Sequence, residues 1–96
     1  MKVYLAGKIT GDPNYRAKFA AAEKMLEEEG HIVLNPAVLP EGLSKADYMR
    51  ICYAMIDSAD IAAFLPDYRD SDGAQNEFYH CEYTEKKIWL LNDGDF

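Results

Sequence analysis

The stretch from Asp70 to His80, DSDGAQNEFYH, places Glu77 three residues after Ala74 and four before Cys81. On a helix those intervals bring all three side chains to one side, so a carboxylate lands on or beside a buried stripe in the second turn. Burial raises a carboxyl pKa, while the helix N-terminus and donors such as Tyr4 or Ser71 favour the ionised form. An ionised, partly dry carboxylate is the group that nucleophilic attack at a sugar carbon needs. The same spacing also fits a glutamate that reaches solvent from the flank of the stripe, and the intervals leave both readings open.

A second stretch, AGKITGDP from Ala6 to Pro13, sets two glycines, a lysine and a threonine just ahead of a helix start. Amides beside Gly7 and Gly11, with the partial positive charge of the helix end, suit an anion. Lys8 and Thr10 would add a charge and a hydroxyl. The loop is neither G-x-G-x-x-G nor a Walker loop, and an ordinary strand-to-helix turn is its simpler account. His80 and Cys81, with Glu77 or Glu85, sketch a metal site. Adjacent helix residues point about 100° apart and no second cluster completes the ligand set, so packing is expected and no metal. His31, at the start of a strand, reads as structural. The seven tyrosines are not interleaved with basic residues as a nucleic-acid stacking surface would be. Some of them, with Phe78 and Trp89, suit a subunit contact.

The elements that must position these residues alternate along the chain. Met1–Ala6 reads as a strand closed by Gly7, and Lys8–Asp12 as a loop. Asp12-Pro13 starts a helix whose stripe is Tyr15, Phe19, Ala22 and Leu26, and Gly30 ends it. His31–Leu34 is a second strand, stopped by Asn35-Pro36. Ser44 caps a second helix with Tyr48, Ile51, Cys52 and Met55 inward, ending near Ser58-Ala59. Asp60–Leu65 is a third strand ended by Pro66. Ala74–Lys86 is a third helix, starting near Asp72 or Gly73, where Asp72 and Gln75 resemble a capping box. Ile88–Leu91 is a fourth strand, and Asn92–Phe96 a tail.

This alternation predicts parallel strands joined by right-handed crossovers. The expected fold is α/β, a flavodoxin/Rossmann-like three-layer domain spanning residues 1–96, with a four-stranded parallel sheet of order 2-1-3-4. In such a sheet ligands sit beyond the carboxyl ends of the strands where the order reverses. Here that place lies between the first and third strands, bracketed by Gly7–Asp12 and Pro66–Gly73.

Composition narrows the partners. Hydrophobic residues at 49% and charged residues at 28% are ordinary globular values, which argues against general disorder. Seventeen acids against ten bases give a net charge of −7. That argues against a nucleic-acid polymer, whose binding rests on lysines and arginines neutralising phosphates. No apolar run approaches the roughly 20 residues of a membrane span, and no signal-peptide pattern opens the chain. Cys52 and Cys81 are far apart and form no C-x-x-C pair, so reduced thiols and a cytoplasmic location are expected.

Four segments together carry a resemblance: YLAGKITGDPNYRAKFAAAE from Tyr4, NPA at Asn35, MRICYAMIDSADIAAFLPDY from Met49, and SDGAQNE from Ser71. They resemble a small domain family of unknown function, frequent in phage and prophage genomes. That family is similar to nucleoside 2-deoxyribosyltransferases and nucleoside 5′-monophosphate N-glycosidases, and the resemblance covers nearly the whole chain. Its most specific motif is a Ser or Asp followed by x-Gly-x-x-x-Glu, here Ser71, Gly73 and Glu77. The resemblance implies that Glu77 is the nucleophile that takes the (deoxy)ribosyl carbon from the base. It also implies that Tyr4 orients that glutamate and that Ser71 lies near the sugar or phosphate. The Tyr-x-x-Gly-Ser-Ile-Arg-Gly loop of the monophosphate hydrolases is matched by Tyr4, Gly7, Lys8, Ile9, Thr10 and Gly11. Those loop residues, with Asn35, Ser71 and Gly73, are the implied substrate-binding set.

The chain departs from those enzymes at three places. The serine and arginine of the phosphate loop are Lys8 and Thr10, so a cation is kept but moved. An aspartate that assists protonation of the leaving base in those enzymes falls at or near Cys52 here. Asp47 and Asp57 are the nearest carboxylates in sequence and the candidates for its role. The enzymes also have a fifth strand, so the edge at Ile88–Leu91 needs a cover, and a homodimer or larger oligomer is expected. The implied activity is cleavage or transfer at the N-glycosidic bond of a small-molecule nucleoside or nucleotide, with no cofactor. The competing readings are a nucleotide-binding module without turnover, and an interaction protein that keeps the fold.

Overall fold

Val3, Tyr4, Leu5 and Ala6 alternate between the two faces of the first strand, and all four are buried. Only a sheet covered on both faces buries consecutive residues in this way. The computed structural model describes residues 1–92, so residues 93–96 of the expected tail lie outside the described residues. Its elements are β1 (Lys2–Ala6), α1 (Tyr15–Glu28), β2 (Ile32–Leu34), α2 (Lys45–Ser58), β3 (Ile61–Phe64), α3 (Asp72–Tyr83) and β4 (Lys87–Leu90). Single 3₁₀ turns lie at Pro36–Val38 and Tyr68–Asp70. Every pairing is parallel and the strand order is β2-β1-β3-β4, as the alternation predicts.

The core has two halves, one on each face of the sheet. Phe19, Ala22 and Leu26 of α1 pack on Val3, Leu5, Ala63 and Leu65. Cys52 and Ile56 of α2, with Ala74 and Cys81 of α3, pack on Tyr4, Ala6, Ala62 and Phe64. Tyr4 stands opposite Ala62 in the β1–β3 register. Paired residues of a sheet point to the same face, so the small alanine leaves room for the tyrosine to reach over β3 toward α3.

Four local expectations change, the first in α2, where Ile51 is exposed and the buried residues are Cys52 and Ile56. The first helix begins at Tyr15 rather than at Pro13, because Asp12 accepts the Asn14 amide at 2.9 Å and holds a turn in which Gly11 has φ +84°. The third helix is capped by Ser71, whose hydroxyl accepts the Ala74 amide at 3.2 Å. The Asp72–Gln75 capping box does not form, since the Gln75 side-chain amide donates to the Arg69 carbonyl instead. That helix ends at Tyr83, three residues early, where Glu85 turns the chain at φ 60° and the Lys86 amide returns to the Cys81 carbonyl. Ser44 caps α2 as expected, in a full capping box with Asp47.

Gly7 closes β1 where the chain passes tightly over β3. A Cβ there would lie 2.8 Å from Leu65 Cδ1, 2.9 Å from Leu65 Cβ and 3.2 Å from an Asp67 carboxylate oxygen. Gly7→Ala is expected to destabilise the protein by about 1–3 kcal/mol, the usual cost of overpacking, in urea unfolding. An unchanged midpoint would contradict so close an approach.

Candidate active site

Ser71 fixes where α3 begins, and this sets Glu77 in its second turn on the face packed against α2 and the sheet. The residue keeps only 6% of its surface exposed. Burial therefore replaces the alternative of a solvent-reaching side chain. Tyr4, fully buried in the middle of β1, donates its hydroxyl to Glu77 Oε1 at 2.9 Å. The Cys52 thiol, buried on the inner face of α2 with Tyr4 in the same core half, is close enough to act on the ionisation of the carboxylate. Strand β1, helix α2 and helix α3 thus each contribute one polar group to a single buried cluster.

The electrostatics follow from that burial. Desolvation pushes the Glu77 carboxyl up to about 7, against the pull of the Tyr4 and Cys52 donors. Burial, and then the charge of Glu77, push the Cys52 thiol up to about 11. The same two causes, in the same order, hold the Tyr4 phenol well above its ordinary value. Of the three, Glu77 is the one that changes charge near neutrality, while its neighbours keep their protons. A carboxylate with one oxygen fixed by a phenol can attack an electrophilic carbon with the other oxygen, or exchange a proton near pH 7.

The two loops expected to face each other do meet. The Lys8 amide donates to Asp67 Oδ1 at 3.1 Å, and the Lys8 carbonyl accepts from the Lys18 ammonium at 2.9 Å. That ammonium also pairs with Asp12 at 2.5 Å and with Asp67. Lys18 joins Lys8 as a cation of the first loop. Sequence spacing hid it, because Lys18 lies off the apolar stripe of α1 and reads as a solvent-facing residue. Ile9 packs into the core beneath α1, and Thr10 is exposed.

The other expected site residues make no hydrogen bond to Glu77 among the described residues. Asn35 accepts the Ala37 amide at 2.8 Å and donates to Glu23 at 3.0 Å, so both ends of its amide are engaged toward α1. Asp47 is held by Ser44 and by Arg50, the latter at 2.7 Å. Asp57, 61% exposed at its side chain, meets His80 at 2.9 Å, and His80 stacks on Tyr53. Gly73 sits in the first turn of α3, and a Cβ there would make only ordinary contacts, the nearest with Met49 at 3.6 Å. Packing within the chain therefore does not demand a glycine at 73. Two surface grooves, of about 440 Å³ beside α2 and about 250 Å³ beside α1, are lined by neither Glu77 nor Tyr4.

Comparison with known proteins agrees with this architecture. Residues 1–90 match the model of a family described as a domain of unknown function, DUF4406. No curated protein matches the chain. Among solved structures it is similar to a 2-deoxyribosyltransferase from the psychrotolerant bacterium Bacillus psychrosaccharolyticus, described as a biocatalyst for the industrial synthesis of antiviral and antitumoral nucleosides. The TM-score is 0.74 at 23% sequence identity, over 94% of this chain and 71% of that one. The likeness is one of fold. No helix among the described residues is long and apolar enough to cross a membrane.

The raised Glu77 pKa has a direct consequence for stability. The unfolded chain releases this proton near the ordinary value of 4.5, whereas the folded protein holds it to about 7. Across that window the folded state binds more protons, so this contribution is complete below the lower value and is lost as pH rises through the upper one. The loss is on the order of 3 kcal/mol. Urea unfolding at about pH 4.5 and about pH 8 is expected to show wild type losing that amount relative to Glu77→Gln. A difference between the two proteins that does not change with pH would mean that Glu77 ionises as freely as it does in water.

Proposed function

We propose that this chain, which belongs to the DUF4406 family, cleaves or transfers at the N-glycosidic bond of a (deoxy)nucleoside or its 5′-monophosphate, with Glu77 as the nucleophile. The observation that carries the reading is the buried Glu77 carboxylate held by the Tyr4 hydroxyl at 2.9 Å, with its pKa raised to about 7. The fold it shares with a 2-deoxyribosyltransferase supports the same chemistry. In this mechanism Tyr4 fixes Oε1 and turns the free carboxylate oxygen to the anomeric carbon. The bond from that carbon to the base breaks as the bond to Glu77 forms, giving a glycosyl-enzyme ester. Water or a second base then displaces Glu77 and restores the carboxylate.

The first loop supplies the phosphate end in this reading. Lys18 is already neutralised by Asp12 and Asp67, so Lys8 is the loop cation left for an anion, beside the hydroxyl of Thr10 and the amide of Gly11. Ser71 and Gly73 lie at the start of α3, where a sugar facing Glu77 would pass. The reading includes a homo-oligomer in the cytoplasm. The β4 edge has Leu90 48% exposed and Tyr83 exposed just before it, and a second subunit would cover them. A second reading, nucleotide binding without turnover, draws on the engagement of Asp47 and Asp57 away from Glu77.

A panel of nucleosides and nucleoside 5′-monophosphates, followed for released base, tests the two together. Wild type is expected to release base, while Glu77→Gln falls to the uncatalysed background and still binds the same nucleotides in calorimetry. Equal turnover by both proteins would remove Glu77 from the mechanism. Binding without release by wild type would favour the second reading.

A further inference from the structure

Both polar groups of the Lys8 backbone are held by charged side chains. The amide donates to Asp67 Oδ1 at 3.1 Å, and the carbonyl accepts from the Lys18 ammonium at 2.9 Å. The second Asp67 oxygen pairs with that same ammonium, so Asp67 and Lys18 close a clamp around one residue of the loop. Gly7 leaves room for it, since a Cβ there would lie 3.2 Å from Asp67 Oδ1. Beyond the clamp the loop is open. Among the described residues, no hydrogen bond engages the amides of Thr10 and Gly11, and Gly11 takes a left-handed φ of +84°. The Lys8 side chain folds back over this stretch, with its Cε 3.7 Å from where a Gly11 Cβ would stand. A lysine stem above two free amides is equipment for an anion. Yet the same corner carries two carboxylates, Asp12 and Asp67, with Lys18 as their shared counter-charge.

Resting on the reading in which this loop takes a 5′-phosphate, we infer that Asp67, itself an anion, is a positioning residue for that phosphate. Through it the site prefers the nucleoside monophosphate to the free nucleoside. Coulomb's law alone gives Asp67 the opposite role, because a carboxylate repels a phosphate. The two effects differ in size. The Asp67 side chain is 28% exposed and paired with Lys18, so water, salt and the ammonium all weaken its repulsion. The clamp instead fixes the residue whose ammonium meets the anion, and a charge-assisted contact keeps its strength only while donor and acceptor stay aligned. Without Asp67 the Lys8 amide is released and Lys18 loses one of its three oxygens. The cost of ordering the loop then falls on the ligand and lowers its affinity.

The sign of the effect is the test. Calorimetry on the whole chain compares wild type, Asp67→Ala and Asp67→Asn, using the four common 2′-deoxynucleosides and their 5′-monophosphates. Asp67→Asn keeps the size of the side chain, removes its charge and turns an amide N–H toward Lys18, so it serves even if the alanine variant folds poorly. Each variant is expected to bind the monophosphates about 10-fold more weakly, the lower end for a hydrogen bond to a charged group. The free nucleosides are expected to bind as they do to wild type. The loss persists at high salt, which would erase a purely Coulombic change. Equal or tighter monophosphate binding by either folded variant would overturn the positioning role and leave the phosphate reading standing. An equal loss for nucleosides would overturn it as well, by making Asp67 a support for the whole fold. Wild type binding monophosphates no tighter than nucleosides would overturn the phosphate reading and this inference together.

Discussion

The hydrogen bond from the Tyr4 hydroxyl to Glu77 is the constraint around which one side of the molecule is arranged. It joins the middle of the first strand to the last helix across 73 residues of sequence. A carboxyl taken out of water is costly unless it is hydrogen-bonded or keeps its proton, and here both occur in part. Tyr4 can make the bond because Ala62 beside it is small, and Glu77 can receive it because Ser71 sets the first turn of α3. Cys52 fills the third side with a thiol that burial pushes up to about 11, so it stays uncharged near neutrality.

The opposite requirement holds at the loops. Where Glu77 is surrounded by uncharged donors, the first loop is pinned by full charges, with Lys18 held between Asp12 and Asp67 and also bonded to the Lys8 carbonyl. These groups are partly exposed, so their worth lies in geometry more than in stability. They fasten the end of β1 to the end of β3, the place where the sheet order reverses and where the two loops open side by side. Lys8 is left as the loop cation in a chain of net charge −7.

Much of the fold could be read from pattern because the relevant signals are local and strong. Pro66 and Gly30 end elements, Ser44 begins one, and apolar runs of four to six residues alternate with amphipathic stretches. The boundaries that slipped did so where a side chain had two possible partners. Asp12 bonded to Asn14 and Lys18 instead of capping a helix, and Gln75 turned to Arg69. The site was legible only in outline. Helical spacing could place Glu77 beside the core, and Tyr4 was expected as its donor and orienting residue, but nothing in the spacing said that Cys52 would join them. Those contacts depend on how far α2 and α3 stand from β1, which is a property of packing and not of spacing. Spacing also could not show which partners Asp47 and Asp57 take, Ser44 and Arg50 for the one and His80 for the other.

The most direct measurement is the titration of the Glu77 carboxyl carbon by NMR in wild type and in Tyr4→Phe. If burial raises this group and the Tyr4 hydrogen bond holds it back, the wild-type midpoint lies near 7. Loss of the phenol donor then moves it up by about 1–2 units, the size of a hydrogen bond to a charged group. A wild-type midpoint near the ordinary value for glutamate, or one that Tyr4→Phe leaves in place, would contradict the account.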